Sequence, residues 1–115
     1  MNVAVQGTKS FIDYNVFMRA MGVALSSVVS GDEFNVYTVG PAQINSFTSE
    51  FCNMSEDGLR RRGIKIRFFK VPVSYIQEHA KTFDYFAFLS APKERPSSLV
   101  SYMDLMGVET GIFRY

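Results

Sequence analysis

Cysteine is almost missing from this chain of 115 residues; Cys52 stands alone, which excludes an intrachain disulfide. Its place inside a helical apolar pattern predicts a small buried side chain. Histidine is as scarce. The single His79 has no Cys, His or carboxylate neighbour at ligand spacing, so neither a metal centre nor a histidine acid–base pair is expected. No uninterrupted apolar run approaches the roughly 18 residues of a membrane span, and no basic flank with an apolar core marks a leader. A cytoplasmic protein without a membrane partner is the expectation. Neither charge sign prevails, with 12 Lys and Arg against 11 Asp and Glu and a net charge of +1. That balance excludes a general electrostatic grip on nucleic acid, although local basic patches stay open. Neither a Walker-type Gly-x4-Gly-Lys-Ser/Thr nor a Gly-x-Gly-x-x-Gly run occurs.

What the chain does have is core material, 47% apolar and 15% aromatic residues, in a length that suits one domain spanning residues 1–115. Val3-Ala4-Val5 and Tyr85-Phe-Ala-Phe-Leu89 are continuous apolar runs, as expected of central parallel strands covered on both faces. Phe34–Val39 and Val108–Tyr115 supply two further strands, with Gly111 a candidate bulge. Ile64–Val71 alternates apolar with basic residues before its Phe pair, which suggests an edge strand. Helical spacing links Tyr14, Phe17, Met18, Met21, Ala24, Leu25 and Val28 behind an Asp13 cap. A second helix carries Ile44, Phe47, Phe51 and Met54 through Arg60-Arg61-Arg62 to Gly63 as its C′ residue. Three arginines there are read as a solvated helix end favoured by the dipole, not as a nucleic-acid contact. Ser74 with Gln77 forms a capping-box pattern for a short third helix, and Leu99, Val100, Met103 and Met106 form a fourth that stops at Gly107.

Strands and helices therefore alternate five strands deep, which predicts an α/β Rossmann-like sandwich with a parallel sheet in the order 3-2-1-4-5. In that order the chain reverses direction between the first and fourth strands, where a ligand crevice is expected beyond the strand C-termini. Three loops converge there. The first brings Gly7, Thr8, Lys9 and Ser10; the last brings Ser90, Lys93, Arg95, Ser97 and Ser98; the loop after the second strand adds Gly40, Gln43 and Asn45. Hydroxyls, cations and backbone amides at helix starts suit a phosphate group. Taken singly, each loop is explained by turn chemistry.

The run Val3-Ala-Val-Gln-Gly-Thr-Lys-Ser-Phe11, with Tyr14 following, resembles the start of the YspA-like proteins of the SLOG superfamily, Rossmann-like domains related to the lonely-guy and DNA-processing A proteins. The resemblance implies a nucleotide or nucleotide-derived ligand at the sheet's C-terminal edge, in a sensor or a hydrolase, and short members of the class occur in phages. As motif it covers about fourteen residues; beyond them it is an order of elements. The loop after the second strand departs from the family pattern, keeping only Gly40, with Gln43 in place of a glycine and Asn45 in place of an acid. An amide serves neither as general base nor as a metal-binding carboxylate, so catalysis of the family type is disfavoured.

Three functional expectations follow. The first is a binder of a nucleotide-type ligand with little or no catalysis, Lys93 or Arg95 neutralising the phosphate. The second is a small phage accessory or inhibitor protein acting on a protein partner, or on a second copy of itself, through aromatics such as Phe68, Phe69, Tyr75, Tyr102, Phe113 and Tyr115. A hydrolase of a nucleotide or N-glycosidic bond, with Glu94 or Asp13 as acid or base, is the third. No cofactor is specified. A mouth plugged by side chains such as Gln6, Gln43 and Tyr14 favours the second expectation over the first.

Overall fold

A computed structural model describes residues 1–115. Five strands form one parallel sheet: β1 (Asn2–Gly7), β2 (Glu33–Thr38), β3 (Lys65–Lys70), β4 (Tyr85–Ser90) and β5 (Glu109–Arg114), in the order β3-β2-β1-β4-β5. The helices are α1 (Tyr14–Leu25), α2 (Ala42–Arg61), α3 (Val73–Glu78) and α4 (Ser98–Leu105), with a 3-10 turn at Ala80–Thr82. This is the Rossmann-like α/β sandwich, and no helix is long and apolar enough to cross a membrane.

Strand alternation divides the core in two. Val3, Val5, Phe34, Val36, Ala87 and Leu89 face α1 and α2, where they meet Phe17, Met21, Ile44, Phe47 and Phe51. Ala4, Phe86 and Phe88 face α3 and α4, against Ile76, Leu99 and Met103. Every residue of β4 is buried, as its unbroken apolar run requires of a strand covered on both sides. β3 forms one open edge of the sheet, and its exposed residues include Lys65, Arg67 and Lys70. Asp13 caps α1 by accepting from Val16 N–H at 3.0 Å, and Gly63 follows α2 with φ of +75°.

Several local expectations are corrected. The capping box at Ser74 and Gln77 is absent, because α3 begins at Val73 behind Pro72 and no side chain caps it. Ser74 lies inside the first turn, past the position from which a hydroxyl reaches back to the helix amides. Met54 does not join the core and is 67% exposed; at 100° per residue it falls on the flank of the α2 face made by Ile44, Phe47, Thr48, Phe51, Cys52 and Leu59. The first helix ends at Leu25, so Val28 is buried from a turn and not from the helix. Gly111 makes no bulge: the β4–β5 register runs unbroken from Tyr85 opposite Glu109 to Ser90 opposite Arg114.

Space is what Gly111 supplies. A Cβ there would lie 2.0 Å from the Tyr85 hydroxyl oxygen and 2.9 Å from the Phe113 ring. Tyr85 is buried, and burial followed by the Glu109 carboxylate raises its pKa, so the phenol stays neutral and its ring has little room to move. Gly111→Val is therefore expected to destabilise the fold by about 1–3 kcal/mol through overpacking. Tyr85→Phe in the same chain should recover part of that loss, which a double-mutant cycle in urea unfolding measures.

Candidate functional site

β1 and β4 lie side by side, Val3 opposite Tyr85 through Gly7 opposite Leu89, so the loops leaving them share one rim. The predicted convergence of residues 7–10 with residues 90–98 is present, and specific bonds hold it. Thr8 is buried; its N–H donates to the Leu89 carbonyl at 2.8 Å, and its Oγ1 accepts from Ala91 N–H at 2.9 Å. Gly7 N–H donates to the Gly40 carbonyl at 3.1 Å, tying in the third loop. Thr38 Oγ1 donates to Asn45 Oδ1 at 2.9 Å and accepts from Gly40 N–H at 3.2 Å.

Those bonds change what the rim offers a ligand. Of the amides in the first loop, Ser10 N–H donates to the Glu94 carboxylate at 3.1 Å, Phe11 N–H to the Thr8 carbonyl, and Ile12 N–H to the Tyr115 hydroxyl at 3.2 Å. In the loop between β1 and α1, Lys9 N–H and Asp13 N–H lack a protein acceptor. The space that a glycine leaves for a phosphate is also filled, since a Cβ on Gly7 would lie 2.6 Å from Ile44 Cδ1. Gln6 at the end of β1 accepts from the Ser97 hydroxyl across the mouth, while Ser90 Oγ is turned inward to the carbonyls of Ala91 and Glu94. Gln43 is exposed and Tyr14 packs on Phe17 and Phe47, so of the three suspected plugging side chains Gln6 alone spans the rim. None of three surface hollows, at α2–β3 and at the N-terminal edge of the sheet, includes a residue of these two loops.

The cations are free where the amides are not. Lys9, Lys93 and Arg95 are exposed, and none has a carboxylate within ion-pair distance. Lys93 also has φ of +65°, the one non-glycine residue in the left-handed region. It follows Pro92 in a turn closed by Glu94 N–H to the Ala91 carbonyl at 3.3 Å, the pattern in which glycine or asparagine normally stands at this position. Such backbone costs about 1–2 kcal/mol, and it is held by Ser90 and by the Glu94 bond to Ser10.

No protein-family model, curated protein or solved structure matches the chain. The site is thus read from its own chemistry. Cys52 offers no nucleophile, because burial pushes its thiol up to about 11. Asp13 accepts from Val16 N–H as the α1 cap, and Glu94 accepts from Ser10 N–H. His79 follows α3 as its C-cap, away from this rim; its ring stacks on Tyr75 at 4.1 Å. Sequence reasoning missed the clamps formed by Glu94, Gln6 and Tyr115, and no local signal announces them, since each bridges more than 80 residues of chain.

Two stability tests probe this rim. Thr8→Val keeps the shape but leaves the buried Ala91 N–H without its acceptor, and unfolding free energy should fall by about 1–3 kcal/mol. Lys93→Gly relieves the left-handed backbone, and the urea midpoint should rise by the equivalent of about 1 kcal/mol.

Proposed function

We propose that the chain binds a phosphate-bearing, nucleotide-class ligand at the C-terminal ends of β1 and β4, and does not turn it over. One observation carries this reading: the Ser10 amide already holds an anion, the Glu94 carboxylate, inside a rim whose three cations lack acidic partners. A phosphate that takes the place of Glu94 meets the same N–H and gains Lys9, Lys93 and Arg95. The strained backbone at Lys93 supports the reading, because a costly conformation that presents an unpaired cation at a strand terminus is what ligand sites tend to keep. The switch point of an open parallel sheet and the resemblance to the YspA-like group favour the same ligand class. Binding here is through side chains, since most of the turn's amides are engaged internally.

The closed mouth favours a second reading, a protein-interaction module in which the same cations meet an acidic partner surface. A thermal-shift panel of adenine and guanine mono-, di- and triphosphates separates the two. A ligand at one hundred times its dissociation constant should add about 2.7 kcal/mol of stability. Lys9→Glu and Arg95→Glu should each remove that gain while the unliganded melting temperature stays within a few degrees. If no nucleotide shifts the melt, the ligand reading fails and the interaction reading stands.

A further inference from the structure

The longest stretch without a carboxylate runs from Gly58 to Gln77, and it holds six cations: Arg60, Arg61, Arg62, Lys65, Arg67 and Lys70. With a net charge of +1 for the whole chain, the remaining residues together carry −5, so the even balance of the composition hides a strong polarity. The fold draws this stretch out along one line. Arg60 and Arg61 end α2, Arg62 is its C-cap, Gly63 turns the chain, and β3 carries the remaining three along the open edge of the sheet. Arg60 meets Glu56 and Asp57, and Arg67 meets Glu33 at 3.4 Å, all in exposed pairs that hold weakly. Arg61, Arg62, Lys65 and Lys70 have no carboxylate within reach.

Beside those cations lies a row of stacked rings. Phe69 stacks on Tyr37 at 4.7 Å and 20°, Tyr37 on Tyr75 at 5.8 Å and 16°, and Tyr75 on the His79 imidazole at 4.1 Å and 26°. Phe69 stands on the edge strand, with one face against Tyr37 of the neighbouring strand, and is 36% exposed. Its other face therefore looks out past the sheet edge. Strand alternation puts Lys65 and Arg67 on the same side of the sheet as Phe69, while Lys70 at the end of the strand leaves from the opposite side, beside Phe68, so that cations flank the edge on both faces. A flat ring with an open face, set beside the unpaired Lys65 and the weakly paired, exposed Arg67, matches what a nucleobase and its flanking phosphates require.

We infer that the β3 edge binds single-stranded nucleic acid, the phosphates lying on Lys65, Arg67 and Lys70 and a base extending the aromatic row beyond Phe69. From Lys65 to Lys70 the strand covers about 17 Å, enough for a few nucleotides. A duplex is a poor fit, because its bases are already covered on both faces by their neighbours. This site is separate from the rim at β1 and β4, and its occupancy does not depend on that reading.

Fluorescence anisotropy of the full chain with labelled ten-nucleotide oligo(dT) and oligo(U), and with a blunt ten-base-pair duplex, tests the inference. The single strands should bind at least tenfold more tightly than the duplex. Three phosphate contacts should cost about 20-fold in affinity between 50 and 200 mM salt. Phe69→Leu keeps the apolar volume and removes the ring face; it should weaken binding about tenfold with the salt slope unchanged. The double variant Lys65→Glu, Lys70→Glu should flatten the slope, whereas Lys9→Glu should leave binding intact; circular dichroism melts confirm that each variant folds. No binding at about 100 μM protein in 50 mM salt, equal affinity for the duplex, or an unchanged Phe69→Leu overturns the inference. The lysines then serve only to keep an open sheet edge from pairing with other chains.

Discussion

Parallel pairing of β1 with β4, from Val3 opposite Tyr85 to Gly7 opposite Leu89, governs where every loop of the C-terminal rim can lie. These two strands are the most deeply buried in the sheet, and their side chains feed both halves of the core. With both faces packed, a one-residue slip would exchange the side chains that face the two halves of the core. The turn after β1 and the turn after β4 consequently meet in a single arrangement, sealed by the reciprocal use of Thr8 with Leu89 and Ala91. Without that pairing, Ser10 and Glu94 would have no reason to be neighbours.

The rim that results is well satisfied at its backbone and unsatisfied at its surface charges. The amides of the first turn find their acceptors in the protein itself: a carbonyl of β4, a carbonyl after β2, a carboxylate from the β4 loop and the hydroxyl of Tyr115. A preformed phosphate cradle asks those same amides to wait for a ligand. Here they do not, so the ligand binding proposed above falls to the side chains of Lys9, Lys93 and Arg95. The strain at Lys93 shows what maintaining such a surface costs, because a glycine at that turn would be easier to fold.

A second consequence of the strand order is that β3 and β5 are left as edges, and the two differ in character. β3 carries three cations among its six residues, while β5 has Glu109 at one end and Arg114 at the other. Charge that looks balanced in the whole chain is concentrated along one side by the path of α2 into β3. Aromatic side chains from β2, β3 and α3 gather on that same side because Tyr37 and Phe69 are directly paired across the strands.

How much of this was legible beforehand depends on the range of the forces involved. Apolar runs and turn residues are local, so the alternation of strands and helices, the strand order and the meeting of the Gly7–Ser10 and Ser90–Ser98 loops could all be read from the sequence, with errors at single positions such as Ser74, Met54, Val28 and Gly111, at Met18, which is exposed and not on the core face of α1, and at Met106, which lies just past the end of α4. The clamps could not be read, since a hydrogen bond between Ser10 and Glu94 depends on atoms 84 positions apart being brought within 3.1 Å. Composition and hydrophobic pattern by themselves determined a Rossmann-like sheet with donors around one mouth. Only the tertiary structure decided which donors remain free and which side of the molecule gathers its cations and rings, because satisfying a polar group or stacking two rings is a matter of distance in space and not of order along the chain.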